Sequence, residues 1–263
     1  MTRPGLLEGK TAVVTGVGPG LGRASALALA REGAAVVLVA RNVERVGEVA
    51  AEINAAGGRA VAAPGSVTHA EECEAIAAQA VETYGGIDVV VNSAFRGDAL
   101  ESVADADLDT WRKIFEVNFY GAVNMTRACL PSLRTAGGGS IVMVASQSAR
   151  KIRPNEAGYA ASKSALITLT RSLATEVAGD HIRVNAVVPG WIWGPNVQMY
   201  VDWQTQSRGL TRDEVIAEIT REIPLGEIPP QEDIAESIVF FASDMARMIT
   251  GQTLDVNGGE YFG

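Results

Sequence analysis

Thr11-Ala12-Val13-Val14-Thr15-Gly16-Val17-Gly18-Pro19-Gly20-Leu21-Gly22 is the stretch whose reading decides the fold. Residues 11–15 are apolar or β-branched without alternation, the pattern of a strand buried on both faces. Residues 21–32 then run with helical periodicity and stop at Gly33. Between them Gly16, Gly20 and Gly22 are spaced Gly-x-x-x-Gly-x-Gly. Glycines let backbone N–H groups approach a pyrophosphate, and the helix that follows, from Leu21, offers the positive end of its dipole. Gly22 also permits close packing of that helix on the sheet. The spacing differs from the commoner Gly-x-Gly-x-x-Gly fingerprint.

Outward from this unit, strand-like and helix-like segments alternate. Strands are expected at 35–39, 59–63, 87–91, 139–145, 182–188 and 253–256. Helices are expected at 43–56, 70–84, 107–132, 159–177 and 231–243. This order predicts an α/β fold, a Rossmann-type doubly wound parallel sheet with helices on both faces and right-handed crossovers. No linker or repeat interrupts residues 1–263, which read as one domain. Residues 191 to about 211 read as irregular. Thr211 followed by Asp213 and Glu214 reads as an N-capped helix start, so 211 to about 222 is expected to form a lid helix. Gly194-Pro195 and Pro224 bracket a hinged lid segment over about 191–222.

At 263 residues and 47% hydrophobic, the chain can bury one large core. The net charge of −9 argues against nucleic acid as a partner, because phosphate binding needs clustered basic residues. No apolar run reaches the roughly 18 to 20 residues that span a bilayer, so no membrane association is expected. Met1-Thr2-Arg3-Pro4-Gly5 opens no secretory signal, which predicts a cytoplasmic protein. Cys73 and Cys129 lie in helical segments and read as buried thiols rather than a disulfide. They are too isolated for a zinc cluster, and His69 and His181 read as loop residues. No metal is expected, and histidine-based hydride chemistry is disfavoured.

Tyr159 and Lys163 lie four apart on an expected helix and so share a face. Lowering a phenol pKa by about three units takes about 4 kcal/mol. One cation at about 4 Å supplies roughly that at an effective dielectric of about 20. Lys163 can therefore ready Tyr159 as an acid/base. Ser146 ends the buried run 141–145 just upstream. After strand two the chain reads Ala40-Arg41-Asn42, with no acid for ribose hydroxyls. Arg41 there suits a 2′-phosphate, which favours NADP over NAD.

Taken together, Thr15-Gly16-x-x-x-Gly20-x-Gly22, Val91-Asn92-Ser93-Ala94, Asn118 in Val117-Asn118-Phe119, Ser146, Tyr159-x-x-x-Lys163, Ile182-Arg183-Val184-Asn185, Pro189-Gly190 and Thr250-Gly251-Gln252 resemble the short-chain dehydrogenase/reductase family. The resemblance covers essentially the whole chain. It implies a hydride exchanged between nicotinamide and a secondary alcohol or ketone. It gives Tyr159 the proton, and Lys163 the tuning of Tyr159 and the nicotinamide ribose. Ser146 would hold the substrate oxygen, and Asn118 a water that relays protons from Lys163. Cofactor contacts are implied at Gly16, Gly20, Leu21, Gly22, Ser66, Val67, Asn92, Pro189, Gly190 and Ile192. A homotetramer is implied too, packed through the helices at 107–132 and 159–177, with Ala161, Ala165 and Ala174 permitting close approach.

Three positions depart from the family. Phe95 replaces a glycine beside the cofactor path, Ser66 replaces an aspartate beside adenine, and Gly194 replaces a threonine. Three of the four tryptophans, Trp191, Trp193 and Trp203, cluster with Met199 and Tyr200 after strand six. With Phe95 and Ser146 they are expected to form a substrate pocket for an apolar or ring-bearing alcohol or ketone. Arg150, Lys151 and Arg153 read as a solvated basic loop, with an anionic substrate group as the other reading. Two further functions stay open: a lyase or epimerase that uses cofactor without net turnover, and a catalytically silent nucleotide-binding regulator.

Overall fold

The computed structural model describes residues 4–263, so the reading of Met1 to Arg3 lies outside the described residues. Seven valine-rich segments pair into one parallel sheet: β1 (Thr11–Thr15), β2 (Ala35–Val39), β3 (Arg59–Ala62), β4 (Val89–Asn92), β5 (Gly139–Val144), β6 (Ile182–Pro189) and β7 (Thr253–Val256). Their order is β3-β2-β1-β4-β5-β6-β7. The order reverses between β1 and β4, and a crevice opens there at the strands' carboxyl ends.

The central strands β1, β2, β4, β5 and β6 are largely buried because both faces of the sheet are covered, whereas the edge strands β3 and β7 are partly exposed. Ala12, Val14, Val36, Leu38 and Val142 face one core with α1 (Leu21–Arg31), α2 (Val43–Ala55) and, late in the chain, Gln231–Ala242. Val13, Val37, Val90, Ile141 and Met143 face the other, with α3 (Ala70–Tyr84) and the helices that follow β4 and β5. Period-2 side-chain alternation divides the two sets. Cys73 and Cys129 are buried free thiols in this second core. Among the described residues no helix is long and apolar enough to cross a membrane.

Two expected segments differ. Residues 107–132 do not form one regular α-helix. They form α4 (Leu108–Phe115) and α5 (Gly121–Thr135), joined by a π turn at Glu116–Tyr120. A π turn inserts an extra residue into the helical path, a local change that periodicity does not announce. Residues 191–211 are not irregular: α6 (Ala157–Glu176) and β6 are followed by α7 (Pro195–Arg208) and α8 (Arg212–Thr220). Only Val197 and Val201 of α7 are buried, so the helix shows little apolar stripe. Pro195 at its first position and Gly209 at its left-handed end, φ 68°, were the readable signals. Thr211 and Glu214 form a reciprocal capping box on α8, as the acids beside Thr211 lead one to expect. Helices α7 and α8 share a small third core of Val197, Val201, Val215, Ile219, Ile223 and Ile228. The last helix is α9 (Gln231–Ala242). Ala174 is turned into the chain's own core, so the outward alanine face of α6 reduces to Ala161 and Ala165.

Candidate active site

The four glycines of the first turn divide by role. Gly16 has φ +73° and lies so close to β4's end that a Cβ would stand 2.5 Å from Ala94 Cα. A Cβ on Gly22 would overlap the Gly16 carbonyl. These two are glycines because backbone packs against backbone. A Cβ on Gly18 or Gly20 would meet nothing closer than 3.9 Å and would project into the crevice. The space at Gly18 and Gly20 is a cradle open toward the N-terminus of α1, the arrangement a pyrophosphate needs. Gly22→Val should therefore lower the melting temperature of the ligand-free protein. Gly20→Val should leave it nearly unchanged and weaken dinucleotide binding by at least tenfold, on the order of one lost charge-assisted contact. Paired melting and binding titrations check both.

The turn is tied to its neighbours. Val17 N–H donates to the Val39 carbonyl at 3.1 Å, which ties the turn to the end of β2, two residues before Arg41. Thr15 Oγ1 accepts from the backbone N–H groups of Ser93 and Ala94 at 3.1 and 3.2 Å. This fixes Ser93 and Phe95 along the crevice wall.

Ser146, Tyr159 and Lys163 line the same crevice of about 420 Å³. Ser146 follows β5 and caps a short 3-10 turn by accepting from Ser148 N–H at 3.2 Å. Tyr159 is held at the start of α6, where Asp98 accepts from its N–H at 2.8 Å. Lys163 is 2% exposed, and its Nζ donates to the Val144 carbonyl at 2.7 Å. That Nζ stands 5.8 Å from the Tyr159 ring centroid, so the shared helix face does bring the pair to one side.

The electrostatics differ from the sequence expectation. Burial pushes the Tyr159 phenol up to about 12, only partly opposed by a hydrogen bond with Ser146. Burial pulls Lys163 down to about 7. In the ligand-free protein the lysine therefore does not lower the tyrosine. The reason is desolvation: both groups lose water, and the ammonium is aimed at a carbonyl rather than at the phenol.

Asn118 sits in the π turn, 1% exposed. Its Oδ1 accepts from Arg96 N–H at 2.7 Å, and its Nδ2 donates to Arg96 O at 3.0 Å and to Ser162 Oγ at 2.9 Å. Both amide hydrogens are thereby used, so the side chain serves as a clamp between the 93–98 segment and α6.

Other expected contacts are redistributed. Leu21, Pro189, Gly190 and Ile192 line the crevice. Asn92 does not: its Nδ2 donates to Thr126 Oγ1 at 3.1 Å, beneath the surface. Ser66 and Val67 lie away from it. The Ser66 hydroxyl pairs with Thr68 Oγ1 at 2.8 Å, and the Val67 carbonyl accepts from Asn124 at 3.0 Å. Arg41 is exposed beyond β2. Of the expected substrate residues, Phe95 and Trp191 line the crevice. Trp193 turns into the small core of α7 and α8. Met199 and Trp203 are on the outer side of α7, 65% and 59% exposed. Tyr200 bridges the two environments, stacking at 5.2 Å on Trp191 and 6.2 Å on Trp203. A helix divides its residues among faces, so clustering in sequence did not mean clustering in the site.

Arg150, Lys151 and Arg153 do not form a solvated basic loop. Arg150 pairs with Asp255 at 2.5 Å, and Lys151 joins Glu222 to Glu260. Arg153 pairs with Glu260 at 3.2 Å, stacks 4.2 Å over Trp191 and lines the crevice. Gln231, Asn196 and Val197 also line it and carried no motif signal. Among the described residues no His, Cys, Asp and Glu group is arranged to hold a metal ion.

A sequence model of the family described as enoyl-(acyl carrier protein) reductase matches residues 16–260. Human dehydrogenase/reductase SDR family member 4 is 36% identical over 262 residues, covering 98% of this chain and 90% of its own. A 3-oxoacyl-(acyl-carrier-protein) reductase of Thermotoga maritima is 34% identical over 254 residues, covering 96% of this chain and 98% of its own. The L-sorbose reductase of Gluconobacter frateurii, solved in complex with NADPH and L-sorbose, superposes with a TM-score of 0.93 at 32% identity, covering 98% of each chain. A glycine cradle and a crevice lined by Ser146, Tyr159 and Lys163 agree with these likenesses, and the chain belongs to the short-chain dehydrogenase/reductase family of oxidoreductases.

Proposed function

We propose that this protein is an NADP(H)-dependent reductase that converts a ketone to a secondary alcohol. The observation that carries the reading is the convergence of Ser146, Tyr159 and Lys163 on the crevice that also holds the open glycine cradle. The dinucleotide supplies the hydride when bound. The chain supplies positioning and the proton. Ser146 offers its hydroxyl to the carbonyl oxygen. Tyr159, whose phenol is pushed up to about 12, is fully protonated at neutral pH. It can therefore act as the acid that donates to the developing alkoxide. Lys163 orients the site from beneath through Val144. Phe95 and Trp191 flank the opening and favour an apolar or ring-bearing group beside the carbonyl. L-sorbose and 3-oxoacyl groups, named for two similar proteins, are both ketones.

The purified protein should consume NADPH, followed by its absorbance, with a member of a panel of cyclic and aryl ketones. No consumption over the panel, despite tight binding of NADPH, would overturn the reading. Product formed without net NADPH loss would instead point to a lyase or epimerase.

Arg41 is the basis for NADP(H). It is exposed just after β2, and no acid precedes it there. Arg41→Ala should raise the Kd for NADPH about tenfold while leaving NADH within about twofold, the size of one exposed charge-assisted contact to a phosphate. Equal effects on both cofactors in a fluorescence titration would remove this basis.

A further inference from the structure

Gln231 is the first residue of α9 and stands across the crevice from the glycine turn. The start of that helix is pinned to the segment after β6. Trp193 N–H donates to the Pro229 carbonyl at 2.8 Å, and Trp193 pairs with Pro230 in a parallel bridge. The Gln231 amide has a defined orientation: Nε2 donates to Glu232 Oε1 at 3.3 Å, which leaves Oε1 turned inward. Oε1 is buried, and among the described residues no group hydrogen-bonds it. It lies 3.3 Å from where a Cβ on Gly194 would be and 3.9 Å from where one on Gly20 would be. The oxygen thus fills the place a side chain at 194 would take, between the cradle and the start of α7.

A buried acceptor without a partner costs about 1–3 kcal/mol, so its position calls for a donor on whatever occupies the crevice. The chemistry of that donor is restricted. A pyrophosphate is an acceptor only and would repel Oε1. Adenine belongs beyond β2, on the Arg41 side. The donors that remain on a nicotinamide dinucleotide are its ribose hydroxyls and the carboxamide N–H, and the carboxamide is the one carried by the reacting ring itself. We infer that Gln231 Oε1 accepts a hydrogen bond from the carboxamide N–H of the bound nicotinamide cofactor, and that Gly194 is small to leave room for it. This rests on the proposed nicotinamide-dependent function and adds a binding residue that orients the reacting ring. Gln231 and Gly194 lie 37 residues apart in sequence, so only the folded chain brings them together.

The test uses full-length protein and fluorescence titration with two ligands: NADPH, and its 3-acetylpyridine analogue, in which a methyl ketone replaces the carboxamide and removes the N–H. Gln231→Met should raise the Kd for NADPH about five- to tenfold, as one net hydrogen bond of about 1 kcal/mol allows. It should leave the Kd for the analogue within about twofold. Wild type should already bind the analogue more weakly than NADPH by a similar factor. Gln231→Asn, an amide one carbon shorter, should behave as Gln231→Met does, and both should melt within a few degrees of wild type without ligand. Equal weakening of both ligands would place Gln231 on another part of the cofactor and overturn the inference. No weakening of either would overturn it as well. Wild type that binds neither dinucleotide would sink the proposed function itself, which separates the two failures.

Discussion

Tyr159→Phe should reduce kcat/KM for ketone reduction by about 10³-fold, within the range ascribed to a positioned general acid. The Kd for NADPH should stay within about threefold of wild type. The substitution removes only the phenolic oxygen from the crevice wall, and the ring that packs beside Lys163 remains. Folding should be nearly unaffected, because the hydroxyl's protein interaction is with Ser146 alone. The pH profile is equally diagnostic. With the phenol held up to about 12, the wild-type reduction rate should show no loss from tyrosine ionisation between pH 6 and about 9. Activity that survives within tenfold in Tyr159→Phe would show that the proton comes from elsewhere, and the mechanism would have to be rebuilt around a different donor.

Lys163→Met should do two opposite things. It should abolish turnover, because the crevice loses the cation beneath Tyr159. It should also stabilise the ligand-free protein. Lys163 is 2% exposed, and burial lowers it from 10.5 to about 7. The unfolded chain therefore holds more protons than the folded one between about pH 7 and 10.5, so wild-type stability should rise with pH across that window. Below about pH 7 the full cost of the buried charge is present. A shift of that size corresponds to at most about 5 kcal/mol. The lost bond to the Val144 carbonyl offsets about 1 kcal/mol of it. A net gain of a few kcal/mol would raise the melting temperature by about 5–10 °C at pH 6. The gain should vanish near pH 10. A variant that melts lower than wild type at pH 6 would mean that the lysine is not held against its own desolvation. A site that stores this cost keeps a cation where bound ligand, rather than water, is its counterpart.

Much of the fold was legible because it is written in local pattern. The run 11–15, the glycine turn and the strands through Val37, Val90 and Ile141 declare burial on both faces of a sheet. The Tyr159/Lys163 spacing placed both groups on one helix face, and the structure has them on one side of the crevice. What failed did so for stated reasons. Helix α7 carries too few apolar residues to show a stripe, so its end signals were outweighed. The π turn at Glu116–Tyr120 shifts only the registration of a helix, and that shift is what buries the Asn118 amide against Arg96 and Ser162. Trp193, Met199 and Trp203 are close in sequence but not in the crevice: Trp193, before α7, packs into the small third core, and Met199 and Trp203 share the exposed side of α7. The partners of Arg150, Lys151 and Arg153, namely Asp255, Glu222 and Glu260, lie 71 or more residues away in sequence.

By itself the sequence determined the layered architecture, the location of the glycine turn and the family to which the chain belongs. These follow from periodicity and short motifs, in which each residue's neighbours along the chain are also its neighbours in space. Only the tertiary structure decided the burial that raises Tyr159 and lowers Lys163, the occupation of Asn118's amide and the place of Gln231 beside Gly194. Desolvation and hydrogen-bond satisfaction depend on everything packed around a group, and most of that arrives from distant segments once the chain has folded.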